Sequence, residues 1–118
     1  MSLNVLERLT FKAGTAIIKQ GDSAHAAYVI DSGEVEIWIE RAGAKRVINK
    51  VATGGIIGEM ALIDAKPRSA NVTAVIDTVC IVVPEKLFRE KIESVDPMVK
   101  TLLRILVRNV RAAESRTT

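Results

Sequence analysis

Residues 26 to 40, with the sequence AAYVIDSGEVEIWIE, alternate between apolar and polar side chains after a turn signal. Val35, Ile37 and Ile39 fall on one side of an extended chain, and the residues between them are mostly acidic. The signal itself, Asp31-Ser32-Gly33, is typical of a tight turn. The pattern predicts a β-hairpin with one face in the core and the other in water.

Short apolar runs separated by turn residues lie on both sides of this segment. All seven glycines lie at or before Gly58, so turn chemistry dominates the first half of the chain. The stretch FKAGTAIIKQGD supplies two earlier strands, a turn at Ala42-Gly43 leads into KRVINKV, and SANVTAV and TVCIVV add two more strands. Many short strands with frequent turns predict an antiparallel jelly-roll barrel, which we expect over about residues 10–84.

The periodicity becomes helical from Pro84, a residue that suits the first position of a helix. Asp96 then suits an N-cap and Pro97 the first turn of a second helix, which has an apolar face and a basic face. We expect these two C-terminal helices over about residues 85–114. The fold class is therefore mainly β with flanking helices, and we expect residues 1–118 to form a single domain.

The length and composition limit the class of protein. A chain of 118 residues fits one domain with its own core. The single cysteine, Cys80, lies in an apolar run and is interpreted as a core residue, which excludes an internal disulfide and favours a reducing compartment. No apolar run approaches the roughly 20 residues of a membrane span, and the N-terminus has no signal-peptide pattern. We therefore expect a cytoplasmic protein without a membrane span in this chain.

The net charge of +3 is concentrated near the C-terminus. Residues 97–118 hold five basic side chains against Glu114 alone, which leaves residues 1–96 nearly neutral. We interpret the basic face of the last helix as a solvated surface, with a partner or ligand contact as the alternative. With only two Phe, one Tyr and one Trp in the chain, the composition is a poor match to a nucleic-acid-binding surface.

The stretch GGIIGEMALIDAKPRSANV, residues 54 to 72, holds an acid and an arginine among small and apolar residues. Gly58 precedes EMALID, which predicts one short helical turn whose first N–H groups suit an anion. Pro67 restricts the residue before it, so the loop is expected to return Arg68 toward the start of that turn. An arginine fork matches phosphate oxygens, and an ionised Glu59 accepts from hydroxyls such as a ribose 2′-OH. The spacing equally permits a Glu59–Arg68 salt bridge and leaves the two interpretations open.

These residues carry a family resemblance. GEMALIDAKPRSANV resembles the phosphate-binding cassette of cyclic nucleotide-binding domains, found in protein kinase A regulatory subunits, cyclic nucleotide-gated channels and the catabolite activator protein. FKAGTAIIKQGD and AAYVIDSGEVEI resemble the family's early strands, and the helical tail resembles its last two helices. The resemblance implies a binding sensor that is not an enzyme and needs no cofactor, with cAMP as the favoured ligand and cGMP as the alternative. It also implies that ligand binding moves the C-terminal helix.

The resemblance assigns roles around the ligand position by position. It implies that Arg68 holds the cyclic phosphate and that Glu59 accepts from the ribose 2′-OH. Gly58 would leave room for the sugar. Backbone N–H groups would complete the phosphate cradle, and these lie near Met60, Ala61 and Ser69.

Selectivity for the base is less sharply specified by the resemblance. The Ser69 hydroxyl is able to contact the phosphate or a guanine amino group, so it is compatible with cGMP. A residue of the last helix is expected to cover the base, with Val110 and Arg111 as candidates. Arg111 would stack on the purine, with a solvated side chain as the alternative. One departure from the family pattern is Ile57, where an aromatic residue is common.

Other functions remain as alternatives. An enzyme of cupin or nucleophilic type would need His25, the only histidine, which we expect in a surface turn. A channel fragment or a DNA-binding regulator would need sequence beyond the present ends, so direct nucleic-acid binding is not expected. A ligand-free barrel would act as an interaction module, with Trp38 as its best surface residue, although packing under a loop is the preferred interpretation. The faces of the last helix would serve to bind an effector protein or a second copy of the chain, with simple capping of the barrel as the alternative.

Overall fold

The computed structural model describes residues 6–117, with side chains as far as residue 114. The outermost ends of the expected 1–118 domain therefore lie outside the described residues. Within that range the helices are α1 (Glu59–Asp64), α2 (Glu85–Glu93) and α3 (Pro97–Thr117). The strands are β1 (Arg8–Phe11), β2 (Ala16–Ile18), β3 (Ala26–Ser32), β4 (Glu34–Arg41), β5 (Ala44–Ala52), β6 (Ile56–Ile57), β7 (Asn71–Ala74) and β8 (Thr78–Pro84).

The strands form two four-stranded antiparallel sheets that pack against each other. One sheet has the order β1-β8-β3-β6 and the other the order β2-β7-β4-β5. No pairing between described strands joins the two sheets, so the arrangement is jelly-roll-like without closing into a barrel. The predicted fold class, mainly β with one short and two C-terminal helices, is confirmed.

The chain does turn at Gly33, but the predicted hairpin across that turn is wrong. β3 pairs with β8 and β6 in one sheet, whereas β4 pairs with β5 and β7 in the other. The corner is tight because Gly33 has a φ of 115° and a Cβ there would overlap Thr78. The Thr78 hydroxyl accepts a hydrogen bond from the N–H of Glu34 at 3.2 Å and so holds the start of β4. The strand therefore crosses from one sheet to the other instead of folding back.

A hairpin does form at the second predicted turn. β4 and β5 are paired from Arg41 opposite Ala44 to Glu34 opposite Ala52. Ala42 and Gly43 have φ values of 53° and 78°, in the left-handed region that a two-residue hairpin turn requires. Along β4 the predicted inner positions face the core, where Val35 and Ile39 are buried.

The core lies between the two sheets and draws on both of them. Its buried residues are Ile18, Ile30, Val35, Ile57, Val72 and Cys80. Cys80 is buried as predicted, and burial raises the pKa of its thiol to about 11. A thiol that stays protonated at neutral pH behaves as a small apolar side chain.

The two C-terminal helices begin close to the expected positions. Pro84 ends β8 and caps α2, so this helix begins one residue later than its predicted first position. The Asp96 side chain accepts from the N–H of Met98 at 2.8 Å, which is the predicted N-cap of α3. α3 packs against α1, and Val107 on its apolar face is buried, whereas Leu102 and Leu106 are 51% and 59% exposed.

Trp38 lies on the outer face of the β2-β7-β4-β5 sheet, and the expectation that it packs under a loop is wrong. Its indole N–H donates to the Thr73 hydroxyl on the neighbouring strand at 2.9 Å. The ammonium group of Lys45 lies 5.1 Å from the ring centroid. The ring is half-buried between strand neighbours, which satisfies its polar atom without a loop.

Candidate ligand-binding site

The site begins at Gly58, the residue that precedes α1. Its φ of 79° is left-handed, and a Cβ at this position would lie 2.5 Å from Nη1 of Arg68. The Gly58 carbonyl instead accepts a hydrogen bond from that Nη1 at 2.7 Å. The predicted short helix does form directly after Gly58, and the glycine lets a buried guanidinium reach its start.

Among the described residues Arg68 is the only charged residue that is buried, with 8% of its surface exposed. Nη2 donates to the carbonyl of Ala26 at 2.6 Å, so the guanidinium bridges the start of α1 and the start of β3. Backbone bonds of 2.9 Å join Arg68 to Gly21 and to Asp22 and fix the returning loop. Burial lowers the pKa of Arg68, and the nearby Tyr28, Glu59 and Asp22 oppose that shift. The predicted return of Arg68 to the helix start is what the structure shows.

Glu59, the first residue of α1, lines the same cavity as Arg68. The ion pairs among the described residues do not include a Glu59–Arg68 pair, because both terminal guanidinium nitrogens bond to backbone carbonyls. Burial raises the pKa of Glu59 and the charge of Glu114 raises it further, although a bond to backbone and the charge of Arg68 act in the opposite direction. The carboxylate is therefore held near a buried cation without being neutralised by direct contact.

An inner cavity of about 100 Å³ lies between α1, the returning loop and the two sheets. One part of its wall consists of the start of α1, the buried guanidinium and the Ser69 hydroxyl. Strands of both sheets supply an apolar part of the wall, and Arg111 and Glu114 reach it from α3. The lining contains seven of the eight predicted site residues: Gly58, Glu59, Met60, Ala61, Arg68, Ser69 and Arg111. Such a wall offers donors to an anion on one side and an apolar surface to a ring on the other.

An outer cavity of about 450 Å³ adjoins the inner one and is more polar. The two cavities share three lining residues, Ser69, Arg111 and Glu114. The remaining lining comes from Gln20 and from the end of β4. A ligand with one anionic end and one ring system would have to extend beyond the inner cavity, because the inner cavity alone is below the usual size of small-molecule sites, about 300–1,000 Å³. The three residues that the inner and outer cavities share are called the neck below.

Arg111 reaches the cavity from α3, but its guanidinium is paired with Asp64 at the end of α1. Nε donates to one carboxylate oxygen, and Nη2 donates to the other at 3.0 Å. Burial alone would raise the pKa of Asp64, but the bonds from Arg111 and from the N–H of Lys66 outweigh it and lower that pKa. Arg111 therefore ties α3 to the cassette, a contact that the sequence did not indicate.

Val110, the other candidate for covering a base, does not line the inner cavity. Its side chain is 46% exposed and lines an apolar groove formed by α3, α1 and the β4–β5 hairpin. This groove shares five lining residues with the inner cavity: Ile37, Ile56, Glu59, Met60 and Glu114. In this arrangement of α3, Arg111 and Val110 point to different cavities.

Glu114 is a site residue that the sequence did not reveal. Its carboxylate accepts a hydrogen bond from the Ser69 hydroxyl at 3.1 Å, and it lines both the inner and the outer cavity. The one available signal was its spacing of three residues from Arg111, which places both on one face of α3. Nothing in the sequence shows that this face of α3 meets the cassette.

No group of three metal-ligating side chains occurs among the described residues. The only histidine, His25, has an exposed side chain, and its carbonyl accepts from the N–H of Glu85 at the start of α2. None of the helices within the described range has the length and apolar character needed to cross a membrane.

Comparison with known proteins identifies the family. Residues 8–95 match the cyclic nucleotide-binding domain, and the chain belongs to that family. A cAMP-dependent protein kinase regulatory subunit of Emericella nidulans is 41% identical over 71 residues, 60% of this chain and 17% of the relative. The cyclic AMP receptor protein of Thermus thermophilus is 29% identical over 115 residues, 97% of this chain and 53% of that protein.

Solved structures show the same fold. The cAMP-bound form of the EAL enzyme Bd1971 aligns with a TM-score of 0.90 and 29% identity, over 94% of this chain and 30% of that one. Its cGMP-bound form aligns with a TM-score of 0.87 and 29% identity, over 93% of this chain and 30% of that one. The chain spans from about a sixth to about half of the length of the two curated relatives. The family resemblance expected from the cassette is thus confirmed, and the chain is a cyclic nucleotide-binding regulatory domain.

Proposed function

We propose that this chain is a sensor that binds a cyclic nucleotide between α1 and the two sheets and passes the signal through α3. The observation that carries the proposal is the convergence of a buried Arg68, the start of α1 and Glu59 on one partly apolar cavity. A cyclic nucleotide combines one negative charge, ribose hydroxyls and an aromatic base, and each has a chemical match in the two cavities.

The phosphate and the ribose are assigned to different residues. Arg68 has five N–H donors, of which two bond to the carbonyls of Gly58 and Ala26, so other donors are left for phosphate oxygens. The first N–H groups of α1 complete the cradle together with the N–H of Ser69. Those of α1 are available because the opening turn of a helix has no intrahelical acceptors for them. Glu59 accepts from the ribose 2′-OH, a role for which its ionised form is required.

The favoured ligand is cAMP, with cGMP as the alternative. The curated relatives include cAMP-dependent and cGMP-dependent protein kinases, and one solved neighbour has been determined with each nucleotide. The Ser69 hydroxyl is compatible with both ligands. The protein is a binding module of the cytoplasm in this proposal, and its catalytic partner, where it has one, lies outside residues 1–118.

The output is proposed to run through α3. This helix touches the cavity through Arg111 and Glu114, and its apolar face remains partly exposed. A ligand shifts the position of α3 only if it binds one position more tightly than the other. Contacts that α3 makes with the cassette are therefore the natural point of coupling to an effector protein or to a second copy of the chain.

Titration calorimetry with cAMP and with cGMP tests the proposal. We expect wild type to bind at least one nucleotide, and Arg68→Lys, which keeps the charge but loses the donor fork, to bind about tenfold or more weakly. Arg68→Ala should be weaker still, with circular dichroism used to verify that each variant is folded. Arg46→Ala is the matched control, because Arg46 is exposed on β5 and lines neither cavity. Absence of heat with both nucleotides, or equal binding by Arg68→Lys, would contradict the proposal.

A second candidate function is that of an interaction module that binds no nucleotide. The observation that favours it is the exposed apolar face of α3, on which Leu102, Leu106 and Val110 are 51%, 59% and 46% exposed. Sedimentation velocity over a range of concentrations would detect a dimer, and Leu106→Gln should disperse it if the face is responsible. The interaction module is the better explanation than the sensor only if the chain self-associates and calorimetry detects no heat of nucleotide binding.

A further inference from the structure

Glu114 lies where the cassette was expected to contact its ligand. The carboxylate accepts from the hydroxyl of Ser69, the residue that follows the buried Arg68, at 3.1 Å. The Ser69 hydroxyl is one of the few side-chain donors at the neck that joins the inner and outer cavities. A carboxylate oxygen of Glu114 thus accepts from the Ser69 hydroxyl, in the place of the ligand oxygen that was expected to do so.

The charge of Glu114 adds to this occupancy. Glu59 and Glu114 both line the inner cavity, and the negative charge of Glu114 contributes to the raised pKa of Glu59. Of the two arginines that line this cavity, Arg111 is paired with Asp64, which leaves Arg68 to balance both acids. A cyclic phosphate entering this arrangement would bring a third negative charge to one unpaired cation, and like charges at such short range repel.

The size of the neck leads to the same conclusion. The inner cavity is about 100 Å³, too small for a nucleotide, and the outer cavity of about 450 Å³ shares Ser69, Arg111 and Glu114 with it as lining residues. A ligand that reaches Arg68 while keeping its base in the outer cavity would extend past the lining that the two cavities share, where Ser69 and Glu114 are hydrogen-bonded to each other. We therefore expect this hydrogen bond to break on binding.

We propose that Glu114 is an internal competitor for the anionic group of the ligand, which closes the neck by its bond to Ser69 and must withdraw, with the end of α3, before a nucleotide can bind. This proposal takes the identity of the ligand from the proposed function, whereas the contact between Ser69 and Glu114 is observed independently of that function. Glu114 would lower the affinity of the site for the nucleotide, and it would make that affinity depend on the position of α3.

The test measures binding of cAMP, cGMP and inorganic phosphate to wild type, Glu114→Gln and Glu114→Ala. Glu114→Gln removes the charge with little change of shape, and we expect affinity for whichever nucleotide binds to rise about tenfold, with a smaller gain at high salt. Phosphate affinity should rise in the same direction. Glu93→Gln is the matched control, because Glu93 is exposed at the end of α2 and the same charge is removed there; it should leave all three affinities unchanged.

Each outcome has a distinct meaning. Unchanged or weaker binding of both nucleotide and phosphate by Glu114→Gln would overturn the competitor role, and selective loss of cGMP binding would show that Glu114 contacts the base instead. If no variant binds a nucleotide but phosphate affinity rises in Glu114→Gln, the proposed function fails while the competitor role stands. Equal gains in affinity in Glu93→Gln and Glu114→Gln would show that the effect comes from the net charge of the protein, and this result would also overturn the proposal.

Discussion

At the scale of single residues, the site depends on a glycine and an arginine that require each other. Gly58 has a left-handed φ of 79°, and its missing Cβ leaves the space that Nη1 of Arg68 occupies. Arg68 in turn bonds to the Gly58 carbonyl at the point where α1 starts. The absence of a Cβ at Gly58 therefore permits both the left-handed backbone and the position of the buried Arg68 guanidinium.

Replacement of Gly58 by alanine is expected to strain the backbone and to displace the guanidinium. Gly43 provides a matched control, since its φ is 78° and no atom lies within 4 Å of the position where a Cβ would be built. We expect Gly43→Ala to cost about 1 kcal/mol in unfolding free energy from backbone strain, and Gly58→Ala to cost about 2–3 kcal/mol. Urea unfolding measures both. Equal losses in the two variants would show that the Arg68 contact adds nothing at Gly58.

Glu59 is expected to lower the stability of the folded protein at neutral pH. Burial, with the help of Glu114, raises its pKa above the ordinary value of 4.5, so the folded protein binds its proton up to a higher pH than the unfolded chain does. Stability then falls as pH rises from 4.5 through the folded-state pKa and levels off above it. Glu59→Gln should therefore be more stable than wild type at pH 7, with the difference disappearing below pH 4.5. Urea unfolding across this range measures it, and a less stable Glu59→Gln at pH 7 would refute the expectation.

At the scale of elements, local patterns predicted the helices well and the strand pairing only in part. The N-cap of α3 and the start of α1 depend on residues within one turn, so Asp96 and Gly58 were enough to place them. The same holds for the β4–β5 hairpin, whose turn residues are adjacent. The predicted β3–β4 hairpin was wrong because the corner at Gly33 is set by Thr78, which is distant in sequence.

The same limit applies to the contacts between α3 and the cassette. Arg68 and its loop were predictable because Pro67 and the glycines act locally. The pairs Arg111–Asp64 and Glu114–Ser69 join residues 47 and 45 positions apart, and no local pattern encodes such a distance. The cassette could therefore be read from the sequence, whereas the way α3 closes on it could not.

Arg111 is expected to hold the end of α3 against α1. Its pair with Asp64 is bidentate and the two side chains are 17% and 15% exposed, so Arg111→Ala should cost about 1–2 kcal/mol and increase hydrogen exchange in the last turns of α3. Because the pKa of Asp64 is lowered from its ordinary 3.8, this stabilisation is present above pH 3.8 and is lost as pH falls further.

The matched control for Arg111 is Arg108, one turn earlier on α3 and exposed. Arg108→Ala removes the same charge from the same helix without breaking an ion pair found among the described residues. Exchange should stay at the wild-type level in this variant. A similar increase in both variants would mean that the helix end depends on its total charge and not on the Asp64 contact.

At the scale of the whole molecule, the ligand site lies where separate parts of the fold meet. The inner cavity is lined by strands of both sheets, by α1 and its loop, and by α3. Occupation of such a position adds contacts to every layer at once, and these contacts are lost together on unfolding. Binding should therefore stabilise the whole described fold and not only the cassette.

Thermal unfolding with and without nucleotide measures this coupling. A ligand that binds the folded protein alone, present at a hundredfold excess over its Kd, adds about 2.7 kcal/mol, which corresponds to a rise in Tm of about 10 °C for a domain of this size. Arg68→Lys should lose about half of that shift or more at the same nucleotide concentration, because its Kd is about tenfold or more higher, whereas Arg46→Ala should keep it. A single transition that moves as one unit would show that both sheets and α3 respond together. Two transitions, of which one alone moves with nucleotide, would instead confine the effect to part of the fold and separate the cassette energetically from α3.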